Sequence, residues 1–237
     1  MKILCVSDQI DPLVYTSNIK KRFSDVDIIL SAGDLPMEYL DFIVSSLNKP
    51  LFFVFGNHNL EQFEYYTGGS SNAFAGEEVY EGSGAVHVGS RVVYQDGLII
   101  AGLGGAMRYN RGKNQFTESQ MMRQIIGLIP RLLFNRLFRG RFVDILVTHA
   151  SPKGIHDKED RCHWGFDAFL WFMRTFKPKY LVHGHIHLYS LSDIRVTKYE
   201  GTQVINAYSH YVIDTGAGPF PPGASLSGFP GEFQDKR

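Results

Sequence analysis

Cysteine is scarce in this chain: only Cys5 and Cys162 are present, and their spacing follows no paired pattern. A disulfide framework is therefore not expected, and a reducing compartment, the cytoplasm, is the simplest location. Charge of one sign is not in excess either, because 24 basic side chains balance 24 acidic ones. The overall charge gives no attraction to nucleic acid or to an anionic membrane, and only a local patch could supply one.

Long apolar runs are also missing from the sequence. A membrane-spanning helix needs about 20 consecutive apolar residues, and no such run occurs. The short apolar stretch at the N-terminus reaches Ser7 and Asp8 too soon for a secretion signal and is typical of a buried strand. The length of 237 residues fits one large domain.

Strand and helix patterns alternate through the chain. Apolar runs at residues 3–6, 28–30, 51–55, 142–147 and 180–182 predict buried strands, and the stretches 190–199 and 203–214 predict further strands. Segments with helical periodicity separate the first three runs, and this alternation predicts a parallel sheet covered on both faces. We therefore expect one α/β sandwich, with two sheets flanked by helices, over residues 1–213. The Gly- and Pro-rich residues 214–237 predict an extended or mobile tail.

Several shorter patterns complete this prediction. Residues 91–94 and 98–101 have the pattern of a hairpin, and residues 61–84 that of a long surface loop near the site. Thr117 with Gln120 matches a capping box, so a helix is expected to begin there, with a kink or a second helix near Pro130. Another helix is predicted over residues 166–176.

Residue types that bind metals follow the predicted strands. These candidate site residues are Asp8, Asp34, Asn57, His58, His149, His185 and His187. Because ligands bind at the carboxyl ends of strands in α/β sheets, we expect these side chains to converge. Carboxylates and imidazoles at one edge suit a two-metal hydrolytic site, in which paired ions hold the attacking and leaving oxygens. On extended backbone, the spacing of His185 and His187 would put both side chains on one face.

The order of these residues resembles that of the calcineurin-like metallophosphoesterases. The matching segments, covering roughly residues 1–213, are Asp8, Gly33-Asp34, Gly56-Asn57-His58, His149 and Gly184-His185-Ile186-His187. Each segment is weakly specific alone, but all of them occur in order and at strand ends. The resemblance implies a four-layer sandwich of two mixed sheets flanked by helices, with metals at one edge.

The same resemblance implies two divalent transition-metal ions, Mn, Fe, Zn or Ni, for which mixed nitrogen and oxygen ligands are suited. The first ion would be held by Asp8, Asp34 and His187, and the second by Asp34, Asn57, His149 and His185, with Asp34 as the bridge. His58 would not be a ligand. It would lie beside the substrate, stabilise the phosphoryl oxygens and assist the leaving oxygen.

Two positions depart from the family pattern. Ile10 stands where the family has a histidine two residues after the first aspartate, so the first metal site lacks one ligand and is expected to be the weaker one. Asn59 stands where an acid usually follows the catalytic histidine, and an amide can only hydrogen-bond His58 rather than stabilise its charge.

The function implied is hydrolysis of a phosphomonoester or phosphodiester, from a small-molecule or nucleotide substrate, by a metal-activated water. A rival is a binding or scaffold protein on a degenerate phosphoesterase fold, as in the retromer subunit of this fold, and Ile10 keeps that rival open. A third alternative is a peripheral phosphohydrolase of phospholipids, because residues 121–141 mix apolar side chains with arginines. The same pattern also fits a helix packed on a sheet with its arginines in water.

Several of these residues have simpler explanations. Asp8 and Asp34 taken alone are also typical of helix caps, and His183 is expected to bond the backbone rather than a metal. After His149, a group of polar residues is either a metal or substrate site or a solvated loop: His156, Asp157, Asp160 and His163. Substrate contact and surface packing both explain Tyr65, Tyr66 and Arg108.

Overall fold

The apolar runs of the sequence form strands in two large mixed sheets. The computed structural model of the protein describes residues 1–67, 84–190 and 192–216. Its first elements are β1 (Lys2–Ser7), α1 (Ile19–Phe23), β2 (Ile28–Ser31), α2 (Met37–Leu47), β3 (Leu51–Phe53), α3 (Phe63–Thr67), β4 (Ala85–His87), β5 (Arg91–Gln95) and β6 (Leu98–Leu103). The remaining elements are β7 (Ala106–Met107), β8 (Gln115–Phe116), α4 (Glu118–Arg139), β9 (Ile145–Thr148), a 3₁₀ turn (Arg161–His163), α5 (Asp167–Phe176), β10 (Tyr180–His183), β11 (Val196–Tyr199), β12 (Thr202–Asn206) and β13 (Ser209–Asp214).

The strand order puts the carboxyl ends of most strands at one edge of each sheet. The first sheet has the order β13-β1-β2-β3-β4, with only β13 antiparallel to its neighbour. The second has the order β11-β12-β10-β9-β6-β5, in which the four central strands are parallel. The strands β7 and β8 pair separately.

Side chains on alternate faces of the strands build the layers of the core. In β1, Ile3 and Cys5 point to a cluster between the two sheets, where they meet residues such as Ile145 and Val182 of the second sheet. Leu4 and Val6 point the other way, to a cluster that includes α1 and α2.

The second sheet is covered in the same way, because its outward residues pack on α4 and α5. The helices therefore enclose both sheets from outside, and the predicted four-layer sandwich is confirmed.

The long helix α4 begins as the sequence predicts. The hydroxyl of Thr117 accepts the backbone N–H of Gln120, whose side chain accepts the N–H of Thr117 in return. Pro130 lies inside the helix, which continues to Arg139, so a second helix beginning near Pro130 is wrong. Pro130 and Ile126 both lie on the exposed side, where water can satisfy the carbonyl that loses its partner.

Other details differ from the sequence prediction. Residues 192–195 are not part of a strand, and the strand there begins only at Val196, because the Asp193 carboxylate accepts the N–H groups of Tyr189 and Ser190 and forms a turn. Within the predicted loop 61–84, Phe63–Thr67 is helical, and residues 68–83 lie outside the described part. Most of the predicted tail, residues 217–237, lies outside it too.

Both cysteines are free, and none of the described helices has the length and apolarity to cross a bilayer.

Candidate metal centre

The two sheets bring the candidate residues together from opposite sides. The first sheet contributes Asp8 after β1, Asp34 after β2, and Asn57 after β3. The second contributes His149 directly after β9 and His185 after β10. All these positions follow the carboxyl end of a strand, which is where the sequence pattern placed them.

Three of these residues adopt a backbone conformation that non-glycine residues seldom use. The φ angles of Asp8, Asp34 and His185 are 64°, 57° and 65°. Such left-handed positions cost energy and persist only where the surrounding structure holds them. The backbone N–H of His185 donates to both carboxylate oxygens of Asp8, at 3.0 and 2.9 Å, which holds the two strained turns against each other.

The left-handed turn at His185 overturns one expectation. His185 and His187 do not lie on extended backbone, because the chain leaves β10 at His183 and bends at once. The two side chains consequently have different surroundings. His185 is buried, with 7% of its surface exposed, whereas the side chain of His187 is 42% exposed.

Two glycines allow the close approach of these turns. A Cβ atom on Gly56 would lie 2.0 Å from Oδ1 of Asp34 and 2.5 Å from Cε1 of His149. One on Gly184 would lie 1.9 Å from Oγ of Ser7 and 2.5 Å from Oδ2 of Asp8. Any side chain at either position would force the candidate ligands apart.

The ligands assigned to the second ion form the tighter half of the site. Ligand atoms of Asp34, His149 and His185 all lie within 4.8 Å of one another. Nε2 of His149 lies 3.3 Å from Oδ2 of Asp34 and 3.1 Å from Oδ1 of Asn57. The amide of Asn57 is oriented by Tyr109, whose hydroxyl accepts from Nδ2 at 3.3 Å.

The outer hydrogen bonds fix which nitrogen of each buried imidazole faces this cluster. Nδ1–H of His149 donates to the carbonyl of Ala32 at 2.8 Å, and Nε2–H of His185 donates to the carbonyl of Cys162 at 2.6 Å. Metal-binding histidines commonly donate their second N–H to a carbonyl in this way. The nitrogens that face the cluster are therefore Nε2 of His149 and Nδ1 of His185, and each would carry a lone pair in the neutral form of its ring.

Nε2 of His149 faces Oδ2 of Asp34 and Oδ1 of Asn57, and neither oxygen can donate a hydrogen bond to it. An unprotonated Nε2 would be repelled by both oxygens unless a cation lay between them. Burial lowers the pKa of His149, but the adjacent Asp34 charge outweighs that effect and raises the pKa to about 9. Burial likewise opposes ionisation of Asp34, yet His149 and the N–H of His58 lower its pKa to about 2. A proton or a divalent metal ion can occupy the position between these atoms, and the nitrogen and oxygen donors fit a transition metal.

His185 is suited to bind a metal as a neutral ligand. Burial and the neighbouring His149 lower its pKa to about 3, so the ring carries no proton on Nδ1 near neutral pH. Nitrogen ligands must be deprotonated to bind a metal.

The half of the site assigned to the first ion is more open. Nε2 of His187 lies 3.9 Å from Oδ1 of Asp8, and burial raises the pKa of that carboxyl. Among the described residues, the groups of three clustered ligands include neither of these two. Ile10 offers no ligand atom, and it is 41% exposed. The donors on this side are therefore fewer and farther apart.

His58 lies at the exposed rim of the site. Its backbone N–H donates to Oδ1 of Asp34 at 2.8 Å, while its side chain is exposed to solvent. Asn59 does not pair with His58 as expected, because its Nδ2 donates to the main-chain carbonyl of Asp34 at 3.0 Å. Asn59 thus joins the loops that follow β2 and β3. Because Asn59 is not an acid, it supplies no negative charge to the His58 ring.

The polar loop after His149 has two parts. His163 lies beside the site, with its ring 5.2 Å from that of His185, and Asp160 accepts from both Cys162 and His163. His156 is not in a solvated loop, because it bonds His183 at 2.8 Å and Thr197 at 2.9 Å.

His183 is fully buried, and its Nδ1–H donates to the Gly184 carbonyl, as expected of a residue that bonds the backbone. Its other nitrogen accepts from His156, so both rings are neutral members of one internal chain of hydrogen bonds.

Sequence reasoning missed three tyrosines around the site. Tyr109 bonds Asn57, the Tyr189 hydroxyl lies 3.1 Å from Nδ1 of His187, and the ring of Tyr208 lies 4.9 Å from that of His187. Only Tyr189 had a sequence signal, its position two residues after His187.

The aromatic and basic candidates in the sequence have other contacts. Arg108 donates to the carbonyl of Gln115 at 3.1 Å, and the Tyr66 ring packs 5.1 Å from that of Phe53. Tyr65 packs on Tyr66, and 53% of its surface is exposed. For Tyr66, packing rather than substrate contact explains the position.

Comparisons with known proteins identify the family and the fold of this chain. The family model described as calcineurin-like phosphoesterase matches residues 1–189. One solved structure aligns with a TM-score of 0.62 at 13% identity, covering 90% of this chain and 94% of its own. The protein TT1561 of Thermus thermophilus aligns with a TM-score of 0.56 at 12% identity, covering 87% of this chain and 88% of its own. An archaeal phosphodiesterase aligns with a TM-score of 0.41 at 13% identity, covering 91% and 94%.

Structural likeness at such low identity shows the fold alone. No curated protein matches this sequence significantly. The family model, by contrast, covers most of the 237 residues. The chain therefore belongs to the calcineurin-like phosphoesterase family.

Proposed function

We propose that this protein is a metal-dependent phosphoesterase that hydrolyses a phosphomonoester or phosphodiester of a small molecule or nucleotide. The observation that carries the proposal is the convergence of Asp34 and Asn57 oxygens on Nε2 of buried His149, the ring nitrogen that faces the cluster. Family membership supports this activity at the level of metal-dependent phosphoester hydrolysis.

The proposed ligands divide between two ions as the resemblance to the family implies. Asp34, Asn57, His149 and His185 would hold one ion, and Asp8, Asp34 and His187 the other, with Asp34 between them. Bound divalent ions supply Lewis-acid activation of water and neutralise the charge on the phosphoryl oxygens. The outer hydrogen bonds from His149 and His185 to carbonyl oxygens keep the two rings oriented before an ion arrives.

His58 has the position of the group that acts on substrate. Its backbone is fixed to Asp34, and its exposed ring is free to reach a phosphoryl or leaving oxygen at the rim. A histidine there can donate a hydrogen bond or a proton to the leaving oxygen.

The proposed location is the cytoplasm, where free thiols such as Cys5 and Cys162 persist.

The rival function, a scaffold on this fold, is supported by Ile10, which removes a ligand from the first site. One experiment separates the two functions. The parent, Asp34→Ala and a surface control, Asp25→Ala, are loaded with Mn²⁺, and bound metal is measured together with hydrolysis of an aryl phosphate and its diester. Asp25 is a suitable control because it is exposed and its partner, Lys2, is exposed too.

We expect the parent and Asp25→Ala to bind metal and to hydrolyse at least one ester, and Asp34→Ala to lose both properties. Equal metal content in the parent and Asp34→Ala would refute the ligand assignment. A metal-loaded parent that hydrolyses neither ester would favour the scaffold.

A further inference from the structure

The helix α4 is apolar on two opposite sides. Its inner face, Met121, Ile125, Leu128 and Leu132, is buried in the core against the second sheet. A second stripe, which we name the outer face of α4, consists of Ile126, Leu133, Phe134, Leu137 and Phe138. At 3.6 residues per turn these positions form one continuous strip along the helix.

The outer face is strongly exposed. Leu137 is 77% exposed and Phe138 66%, and the Phe134 and Phe138 rings lie 4.4 Å apart. Single exposed apolar residues are normal on a protein surface, but a contiguous strip of large ones marks an interaction surface.

Positive charge surrounds this strip. Between Glu118 and Asp144 the sequence has no acidic residue, but it has Arg123, Arg131, Arg136, Arg139 and Arg141. Arg141 pairs with Asp144, and Arg139 bonds Asn135. Arg123, Arg131 and Arg136 are exposed, and the Arg131 guanidinium lies 5.3 Å from the centre of the Phe134 ring.

We propose that the outer face of α4 binds an anionic membrane surface. The apolar strip would enter the boundary between headgroups and acyl chains, and the flanking arginines would contact lipid phosphates. A second copy of this chain is a poorer occupant, because face-to-face packing of two α4 helices would bring like charges together. The zero net charge of the whole chain does not oppose this, since the attraction is local.

The proposed surface is separate from the candidate metal centre. The N-terminal end of α4 approaches the site, where Glu118 accepts the N–H of Asp167 at the start of α5. The C-terminal end lies at the opposite edge of the sheet, where Arg141 bonds Gly97 in the β5–β6 turn. The helix is about 33 Å long at 1.5 Å per residue. Most of the outer face belongs to the half remote from the metal ligands.

This separation allows membrane binding to be tested independently of catalysis. The full chain is sedimented with vesicles of phosphatidylcholine alone or mixed with phosphatidylglycerol, at low and high salt. We expect binding to the anionic vesicles that weakens with salt, and at least about tenfold weaker binding to neutral ones. Activity on a soluble aryl phosphate is measured without vesicles, so failure of the phosphoesterase proposal would leave the sedimentation result unaffected.

Paired variants identify the surface. Leu137→Ser/Phe138→Ser should lower vesicle binding at least about tenfold, and Arg131→Gln/Arg136→Gln should lower it and reduce its dependence on salt. Matched controls are Ile194→Ser, at an exposed position outside α4, and Lys20→Gln/Lys21→Gln on α1. Circular dichroism and metal content should be unchanged in every variant.

Three results would overturn the proposal: no binding to anionic vesicles by the folded parent, undiminished binding by the α4 variants, or equal loss in the controls. A dimer in solution that Leu137→Ser/Phe138→Ser dissociates would assign the face to a second copy instead.

Discussion

Nε2 of His149 and Oδ2 of Asp34 lie 3.3 Å apart in the interior of the protein, although the two residues follow strands of different sheets. Each shifts the pKa of the other: the pKa of His149 is raised to about 9 and that of Asp34 lowered to about 2. The pair therefore holds a proton in the metal-free protein at the position where a metal ion would bind.

The first prediction concerns the stability of the metal-free protein. Since the folded pKa of His149 lies above its ordinary value of 6.5, the protonated pair stabilises the fold fully below pH 6.5, and this contribution disappears as the pH rises through about 9. Denaturant unfolding in the presence of a chelator should show the free energy of unfolding falling over that interval. In Asp34→Asn the decline should be much smaller, and identical slopes for the two proteins would contradict the coupling.

Metal binding should show the opposite dependence on pH, which is the second prediction. An ion must displace the proton on Nε2 of His149, so the affinity for Mn²⁺ should increase as the pH rises from 6.5 towards 9. Titration calorimetry in buffers of different ionisation enthalpy would detect the released proton. Affinity that is independent of pH in this range would argue against His149 as a ligand.

The third prediction tests the close approach at Gly56. In Gly56→Ala the new Cβ would lie 2.0 Å from Oδ1 of Asp34, so the strand-end loops must separate. We expect about 10–100-fold weaker metal binding, the range seen when groups that orient metal ligands are disturbed. The matched control is Gly127→Ala in α4, where the added Cβ meets nothing within 4 Å. It should keep full affinity and gain about 0.4–1 kcal/mol of stability.

The strand ends were predictable from sequence because their signals are local. An apolar run that stops at Asp8 or His149 is visible in a few residues, and parallel strands bring their carboxyl ends to a common edge. The layered fold follows from the same alternation of runs. The order of metal-binding residue types then identified which ends belong together.

The features that the sequence did not predict depend on distant parts of the chain. His185 turns into the left-handed region, where its N–H bonds Asp8 from across the fold, and nothing in its neighbouring residues indicates this. Tyr109 orients Asn57 through a contact between separate loops. The periodicity of α4 likewise could not tell which of its two apolar sides the core would bury, because that depends on where the sheet lies.

The fourth prediction concerns Ile10 and the weaker half of the site. Replacing Ile10 with His should raise the affinity for a second Mn²⁺ ion, because it restores the histidine that the family pattern has two residues after Asp8. The substitution should cost little stability, since Ile10 is 41% exposed. Leu13→His is the matched control, at a position in the same segment with 43% exposure. Calorimetry should find a stronger second binding event only in Ile10→His. An equal gain in both variants would point to nonspecific binding by the added imidazole.

The last prediction separates the role of His58 from that of the ligands. The His58 backbone is bonded to Asp34 but its ring is exposed, so His58→Ala should keep the metal while lowering kcat. A positioned acid contributes about 10²–10⁴-fold to rate, and that contribution depends on the leaving group. A nitrophenolate needs little protonation, whereas an alkyl alkoxide needs a proton as the ester bond breaks. The loss in kcat should therefore be small for aryl esters and large for alkyl esters. His58→Gln, which can hydrogen-bond but cannot donate a proton as an acid, should recover stabilisation of the phosphoryl oxygens but keep the larger loss in kcat on alkyl esters. Loss of metal from His58→Ala would make His58 a ligand, and full activity on an alkyl ester would leave it no part in the reaction.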